Sequence, residues 1–166
     1  MQQVLLGRIV EVSEMWIETQ SRKEVFKKYF QSKKVEEILR QSSEDLQQMY
    51  FFDLVAKNPK LNNLHYNIFS VPNGSNKSRR EQLLFKRTGL KSGVLDIQVT
   101  IPRFGYAGLW IEMKWNSTLS ETQKEFIKAH EKTHLIAVCY AGRQAYDLLL
   151  AYLSRENLDE FLEDVR

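Results

Sequence analysis

The chain has 166 residues, of which 43% are hydrophobic, and this is enough for one globular core of ordinary size. No apolar stretch reaches the ~20 residues that span a bilayer, and the first residues lack the basic flank and cleavage site of a secretory signal, so we expect a cytoplasmic protein without a membrane partner. The single cysteine, Cys139, excludes an intramolecular disulfide, and the formal net charge is only +3.

The first forty residues contain two segments with different patterns. The run VLLGRIVEV fits either a short strand or the start of a helix. The run SRKEVFKKYF has helical spacing, with these apolar residues on one face: Val25, Phe26, Tyr29 and Phe30. We therefore predict a mainly helical N-terminal extension over residues 1–42.

A helix is predicted next, with Ser42 or Ser43 as its N-cap and Pro59 marking its end. In EDLQQMYFFDLVAK several apolar residues recur at helical spacing, which assigns them to the buried face. They are Leu46, Met49, Tyr50, Leu54 and Val55. The polar residues assigned to the opposite face are Glu44, Gln47 and Gln48.

A basic segment follows a predicted strand, LHYNIFSV, and a turn at PNGS. The run SRREQLLFKRT predicts a helix that Gly89 ends. The segment around this helix has one acidic residue, Glu81, and six basic residues. The basic residues are Lys77, Arg79, Arg80, Lys86, Arg87 and Lys91. Such clustering indicates a polyanionic partner, and a solvated helix face is the alternative.

The remaining elements complete a mixed α/β domain. Strands are predicted over residues 94–101 and 109–115, joined by PRFGYAG as a hairpin loop. Ser120 begins a helix, HLIAVCY is a buried strand and GRQAYDLLLAYL is a final amphipathic helix. The fold class predicted from this order is α/β, a mixed sheet of about four strands flanked by helices.

Charged residues interrupt the two apolar strands of the hairpin. If the strands pair, Asp96 lies close to Glu112 and Lys114, which share one strand face. Two carboxylates at a half-buried rim repel unless a cation joins them, and oxygen ligands favour Mg²⁺ or Mn²⁺. Such an ion can activate a water, which the lysine can orient or deprotonate, as phosphodiester hydrolysis requires. The alternative is a charged group on the solvent face of an ordinary sheet.

A second pattern, HEKTH at residues 130–134, satisfies the H-E-x-x-H motif of zinc metallopeptidases. That motif needs both histidines on one helix, whereas HLIAVCY places His134 at the start of a strand. We favour His130 at a helix C-terminus and His134 in a turn, and keep a zinc metallopeptidase as a remote alternative.

Several motifs together resemble one nuclease family. GVLDI, YAGLWIEMKW and LSETQ are similar to the VRR-NUC branch (virus-type replication-repair nucleases) of the PD-(D/E)XK nuclease superfamily. EDLQQ, VPNG, FKRTGLKSGVLD and AYDLLLAYL extend the resemblance in the right order. It implies a restriction-endonuclease-like core with a nuclease domain at residues 43–153 and an acidic C-terminal tail at 154–166. One departure is Leu95, where the branch usually has proline, and this change concerns backbone geometry more than chemistry.

The resemblance implies one Mg²⁺- or Mn²⁺-dependent centre built from the hairpin and two helices. Its implied members are Asp96 and Glu112 as metal ligands, the backbone carbonyl of Met113 as a further ligand, Lys114 as the catalytic lysine, Glu44 as a ligand directly or through water, and Gln123 as a support for the lysine or the substrate.

The partner implied by the resemblance is DNA. The six basic residues would contact flanking phosphates, and Asn73 and Gly74 would let the backbone approach DNA. Stand-alone members of the branch resemble Holliday-junction resolvases that act as homodimers, which implies a two-fold dimer that cuts branched DNA in repair. We thus predict a metal-dependent DNA endonuclease without an organic cofactor, with a catalytically silent DNA-binding module of the same fold as the alternative.

Overall fold

The computed structural model of this chain describes residues 9–11, 43–72 and 78–165. The elements in these ranges are β1 (Ile9–Glu11), α1 (Glu44–Lys57), a 3-10 helix (Pro59–Leu64), β2 (Ile68–Ser70), α2 (Arg79–Arg87), β3 (Ile97–Val99), β4 (Leu109–Met113), α3 (Glu121–His130), β5 (Leu135–Cys139), α4 (Gly142–Ser154) and α5 (Leu158–Asp164). None of the helices in these ranges has the length and apolar character needed to cross a bilayer.

The described strands form one mixed sheet in the order β1-β5-β4-β3-β2. β1 and β4 run parallel to β5, whereas β3 is antiparallel to β4 and to β2. The predicted α/β fold with four strands from residue 43 onward is confirmed. β1 adds a fifth strand at the edge, so VLLGRIVEV contains a strand, while the predicted helix at SRKEVFKKYF lies outside the described residues.

The β3–β4 hairpin is shorter than the sequence predicts. Ile97 pairs with Ile111 and Val99 with Leu109, and the ladder ends there at both sides. Gly93 adopts a positive φ of 80° before β3, and Asn116 adopts a φ of 52° after β4, so the chain turns away from the sheet at these points. The predicted strand ends therefore become short connections, and these connections carry Asp96 and Lys114.

Two apolar cores lie on opposite faces of the sheet. The larger core packs one face of the sheet against α1, α4 and α5. The smaller core packs the other face against α3 and contains Leu95, Trp110, Ile127 and Ile136. Leu95 is fully buried there, so the leucine that replaces the usual proline fills space beneath α3.

Helix α1 buries Tyr50 and Val55 as predicted, but its buried face is shifted at two other positions. Met49, assigned to the core, is 54% exposed, whereas Gln47, assigned to the polar face, is only 2% exposed. The Gln47 side-chain oxygen accepts the Gly142 N–H at 2.8 Å and so caps α4, whose own N-cap, Ala141, has no side-chain acceptor. A buried carboxamide is tolerated because this bond satisfies its oxygen.

The segment predicted as an acidic tail contains helix α5. Phe161 and Leu162 of this helix and the following Val165 are buried in the larger core, and Leu158 packs against it. Acidic residues such as Asp159, Glu160 and Glu163 are exposed, so acidic composition and core packing occur on the same short helix. The division at residues 42 and 153 stays a prediction.

Candidate active site

The predicted catalytic residues lie at the C-terminal end of β4. Glu112 belongs to β4 and Lys114 follows it, while α1 begins at Glu44 and Gln123 is the third residue of α3. Ser43 caps α1 through the Leu46 N–H, and Ser120 and Gln123 form a capping box on α3. Local capping chemistry thus starts two helices at the point where the hairpin presents its charged residues.

Asp96 and Glu112 form the carboxylate pair of the site. Because Ile97 pairs with Ile111, Asp96 precedes β3 at the position facing Glu112. An Asp96 carboxylate oxygen accepts the Met113 N–H at 2.9 Å, which holds the carboxylate against β4. Burial and, to a smaller extent, the negative charge of Asp96 raise the pKa of Glu112 to about 7. The pair therefore resists double ionisation unless positive charge joins it.

Lys114 supplies one positive charge from inside the site. Its Nζ lies 2.8 Å from Glu112 Oε1 and 3.7 Å from Glu44 Oε1, and its side chain is almost fully buried. Burial opposes the charged ammonium, but the hydrogen bond and charge of Glu112, with Glu44 and Asp96, outweigh it and raise the pKa of Lys114. The lysine is thus protonated at neutral pH, which favours an orienting role over that of a base.

Glu44 is held by the turn that follows β4. Its Oε1 accepts the Ser117 hydroxyl at 2.5 Å and the Trp115 N–H at 3.3 Å. The positive φ of Asn116 makes this turn possible. Sequence reasoning missed Ser117, and the only available signal was an asparagine, a residue that tolerates positive φ, directly after the Glu-Met-Lys-Trp run.

Gln123 contacts the carboxylate rather than the lysine. Its Nε2 donates to Glu112 Oε1, and its own side-chain oxygen accepts the Ser120 N–H at 2.9 Å. Both ends of the carboxamide are therefore fixed. The capping box of α3 directs the amide toward β4, where it shares Glu112 Oε1 with Lys114, and the support of the lysine or the substrate by Gln123 stays a prediction.

The donor set fits a hard divalent cation. Glu112 Oε2 is buried and has no hydrogen-bond partner among the described residues, a costly state for a carboxylate oxygen. Those residues gather no cluster of three His, Cys, Asp or Glu side chains ready to hold a metal. Mg²⁺ does not require one, because it usually takes one or two carboxylates and completes its shell with waters and substrate phosphates. Asp96 and Glu112 can supply these two carboxylates.

The predicted DNA contacts are only partly described. Arg80, Lys86, Arg87 and Lys91 are exposed on and after α2, and Arg79 is the first residue of that helix. Asn73 and Lys77 lie outside the described residues. The chain that leaves α2 runs directly to Asp96, so the basic helix and this carboxylate are consecutive in the chain.

The histidines of HEKTH do not share a helix. His130 is the last residue of α3, and His134 follows a turn and precedes β5. The His130 Nδ1 bonds with the Phe126 carbonyl at 2.8 Å, and the His134 Nδ1 with the Thr133 hydroxyl at 3.0 Å. The geometry of a zinc metallopeptidase is therefore not formed.

Comparison with known proteins identifies the type of fold. The chain matches no family model and no curated protein. A solved structure described as a "VRR_NUC domain protein" matches with a TM-score of 0.55 at 25% sequence identity, covering 68% of this chain and 88% of that chain. The chain thus has a VRR-NUC nuclease-like fold, consistent with the mixed α/β core of PD-(D/E)XK proteins.

Proposed function

We propose that this protein is a metal-dependent DNA endonuclease that hydrolyses phosphodiester bonds. The observation that carries the proposal is the buried pair of Glu112 and Lys114 beside Asp96, within a nuclease-type fold. An ordinary sheet gains little from a buried ion pair with a second carboxylate next to it, because desolvation offsets most of the attraction. A site for a cation and a phosphate gives these charges a use.

Each residue of the site has a defined part in the proposal. Asp96 and Glu112 would hold Mg²⁺ or Mn²⁺, with the Met113 carbonyl as a further ligand and Glu44 acting directly or through water. When bound, the ion would polarise the phosphate and lower the pKa of a water. Lys114 offers a fixed positive charge to a phosphate oxygen. Gln123 keeps the Glu112 carboxylate in one orientation.

The proposal extends to substrate and assembly. The exposed basic residues of α2 support DNA as the partner, because phosphate contacts dominate affinity for nucleic acids. The resemblance of the motifs supports branched DNA, a role in repair and a two-fold homodimer, and we propose a cytoplasmic location. A catalytically silent DNA-binding module is the competing proposal.

Cleavage assays on a labelled four-way junction and a linear duplex, with Mg²⁺ and with Mn²⁺, test the function. We expect Asp96→Asn and Lys114→Ala each to reduce cleavage by roughly a hundredfold or more, because each removes charge stabilisation from the reacting phosphate. The matched control is Lys57→Ala, which removes an exposed lysine thirteen residues along α1 from Glu44, about 20 Å away.

Two results would contradict the proposal in different ways. Cleavage that persists in both site variants would show that the centre lies elsewhere. A wild-type protein that binds both DNAs but cuts neither with any divalent cation would favour the silent binding module.

A further inference from the structure

We propose that α2 carries a leucine wedge, formed by Leu83 and Leu84, that inserts between bases at a branch point of DNA. This inference rests on the proposed function and specifies the DNA feature that the basic helix recognises. Arg80 and Arg87 flank the leucines and would hold the phosphates on either side.

The two leucines are unusually open to solvent. Leu83 is 53% exposed and Leu84 is 59% exposed, although α2 is a regular helix with a complete capping box. Single exposed apolar residues are common on protein surfaces, whereas adjacent ones on one helix indicate a binding function more often. In the described ranges the other exposed large apolar side chains are Met49 on α1, Tyr66 in the turn before β2 and Phe69 on β2, so none of them lies on α2.

Charge on α2 favours nucleic acid over a protein partner. Positions 80, 83, 84 and 87 fall on one helical face, so an arginine lies on each side of the leucine pair. Lys86 and Lys91 are also exposed. The acidic residue of the helix, Glu81, is engaged at the N-cap, where its carboxylate accepts the Ser78 N–H at 2.8 Å. An apolar pair with cationic neighbours matches a base stack with phosphates around it.

The position of α2 allows one DNA molecule to contact both the wedge and the site. Three residues lie between Gly89, just after the helix, and Gly93, so the two glycines are at most about 14 Å apart. Gly93 packs so closely on α3 that an added Cβ would lie 2.3 Å from the Thr122 carbonyl oxygen, and the next residue, Gln123, binds Glu112. The C-terminus of α2 thus lies well within one turn of B-DNA, about 34 Å, of the site.

A wedge would distinguish branched from linear DNA. Separating stacked base pairs costs free energy, and the cost is smallest where bases are already unpaired. The leucines therefore contribute at a fork or junction and little on an intact duplex, while the arginines contribute on both. Preference for branched DNA would then arise in α2, outside the catalytic centre.

The experiment uses the full-length protein in EDTA with a fork and a linear duplex, each carrying 2-aminopurine at the central position. We expect the wild-type protein to increase the fluorescence of the fork. In Leu83→Ala/Leu84→Ala we expect most of this increase to disappear, with about tenfold weaker binding to the fork and less than about twofold change on the duplex. In Arg80→Gln/Arg87→Gln we expect weaker binding to both DNAs and a salt dependence reduced by about two counterions.

Met49→Ala provides the matched control, since Met49 is similarly exposed but shares its surface with Asp45 and Asp53, which repel DNA. The wedge is overturned if the leucine variant retains the fork signal and affinity, or if its only change is a smaller assembly by light scattering, which would identify a protein interface. Cleavage by the wild-type protein with Mg²⁺ is scored separately. A fluorescence increase on the fork without cleavage would refute the proposed function but support the wedge. Cleavage together with a fork signal that does not depend on the leucines would support the proposed function but refute the wedge.

Discussion

Glu112 is almost completely buried, yet its two carboxylate oxygens differ. Oε1 is shared by Lys114 and Gln123, whereas Oε2 has no hydrogen-bond partner within the described residues. Burial and the neighbouring Asp96 oppose ionisation, and the lysine only partly offsets them. At the level of single residues, the burial of Glu112 and its repulsion by Asp96 are unfavourable interactions that a divalent cation would relieve.

Stability of the metal-free protein should fall as pH rises because of Glu112. Its pKa is about 7 when folded and near 4.5 when unfolded, so the folded state holds the proton more tightly. The stabilisation that results from this tighter proton binding is fully present below about pH 4.5 and is lost as pH rises through about 7. The loss amounts to at most about 3 kcal/mol of unfolding free energy. Urea unfolding in EDTA between pH 5 and 8 measures it.

Glu112→Gln should remove this part of the pH dependence, because the amide does not titrate. Glu121→Gln, at a highly exposed position, serves as the control and should retain the wild-type slope. Equal slopes in the wild type and Glu112→Gln would contradict the assignment of the raised pKa.

At the scale of elements, the position of α1 depends on its contact with α4. The Gln47 side chain caps α4 at Gly142, and the two backbones approach so closely that no side chain fits between them. Gln47 lies one turn after Glu44 on α1. The helix contact that buries Gln47 therefore also directs Glu44 toward Lys114 and Ser117.

Gly142→Ala should destabilise the protein, although alanine is the better helix former. An added Cβ would lie 2.2 Å from the Gln47 carbonyl oxygen and 3.0 Å from the Phe51 nitrogen, both backbone atoms. We expect a loss of roughly 1–3 kcal/mol in unfolding free energy, measured by chemical denaturation. Helix propensity alone would increase stability by up to about 1 kcal/mol.

Gly89→Ala separates steric overlap from backbone strain. Gly89 has a positive φ of 98°, but no atom lies within 4 Å of its added Cβ. We expect Gly89→Ala to lower the unfolding free energy by about 1–2 kcal/mol, because of backbone strain alone. A Gly142→Ala protein that is as stable as the wild type would show that α1 and α4 can move apart.

At the scale of the whole molecule, α5 supports the hairpin that carries the site. Phe161 stacks on Phe104 of the β3–β4 connection at 5.6 Å between ring centroids, and both rings contact Tyr152 edge-on. The Tyr152 hydroxyl donates to the Ile101 carbonyl at 2.5 Å, and burial raises its pKa to about 12. The acidic C-terminal segment is thus part of the core.

Phe161→Ala should lower the unfolding free energy by about 3–5 kcal/mol, because it removes a fully buried ring and leaves a cavity. Thermal and urea unfolding measure the loss. Glu163→Ala changes an exposed residue of the same helix and should stay within about 0.5 kcal/mol of the wild type. A small effect of Phe161→Ala would show that α5 is dispensable for the fold.

Local patterns predicted most of the elements. Ser43, Ser120 and Gly89 mark helix ends through capping and positive φ, and these depend on neighbouring residues alone. The alternation along the hairpin likewise brought Asp96 to Glu112, because side-chain direction in a strand is local. The exposure of Met49 and the burial of Gln47 could not be predicted, since they depend on where α4 begins.

The α/β class, the helix starts and the approach of Asp96 to Glu112 and Lys114 could therefore be predicted from the sequence, because capping and strand periodicity act over a few residues. The hydrogen-bond and packing partners of these groups depend on tertiary packing. Ser117 reaches Glu44, Gln123 turns to Glu112 and Phe161 supports the hairpin because the chain brings distant residues together during packing. No local rule encodes such contacts, since they depend on how helices and sheet fit together in three dimensions.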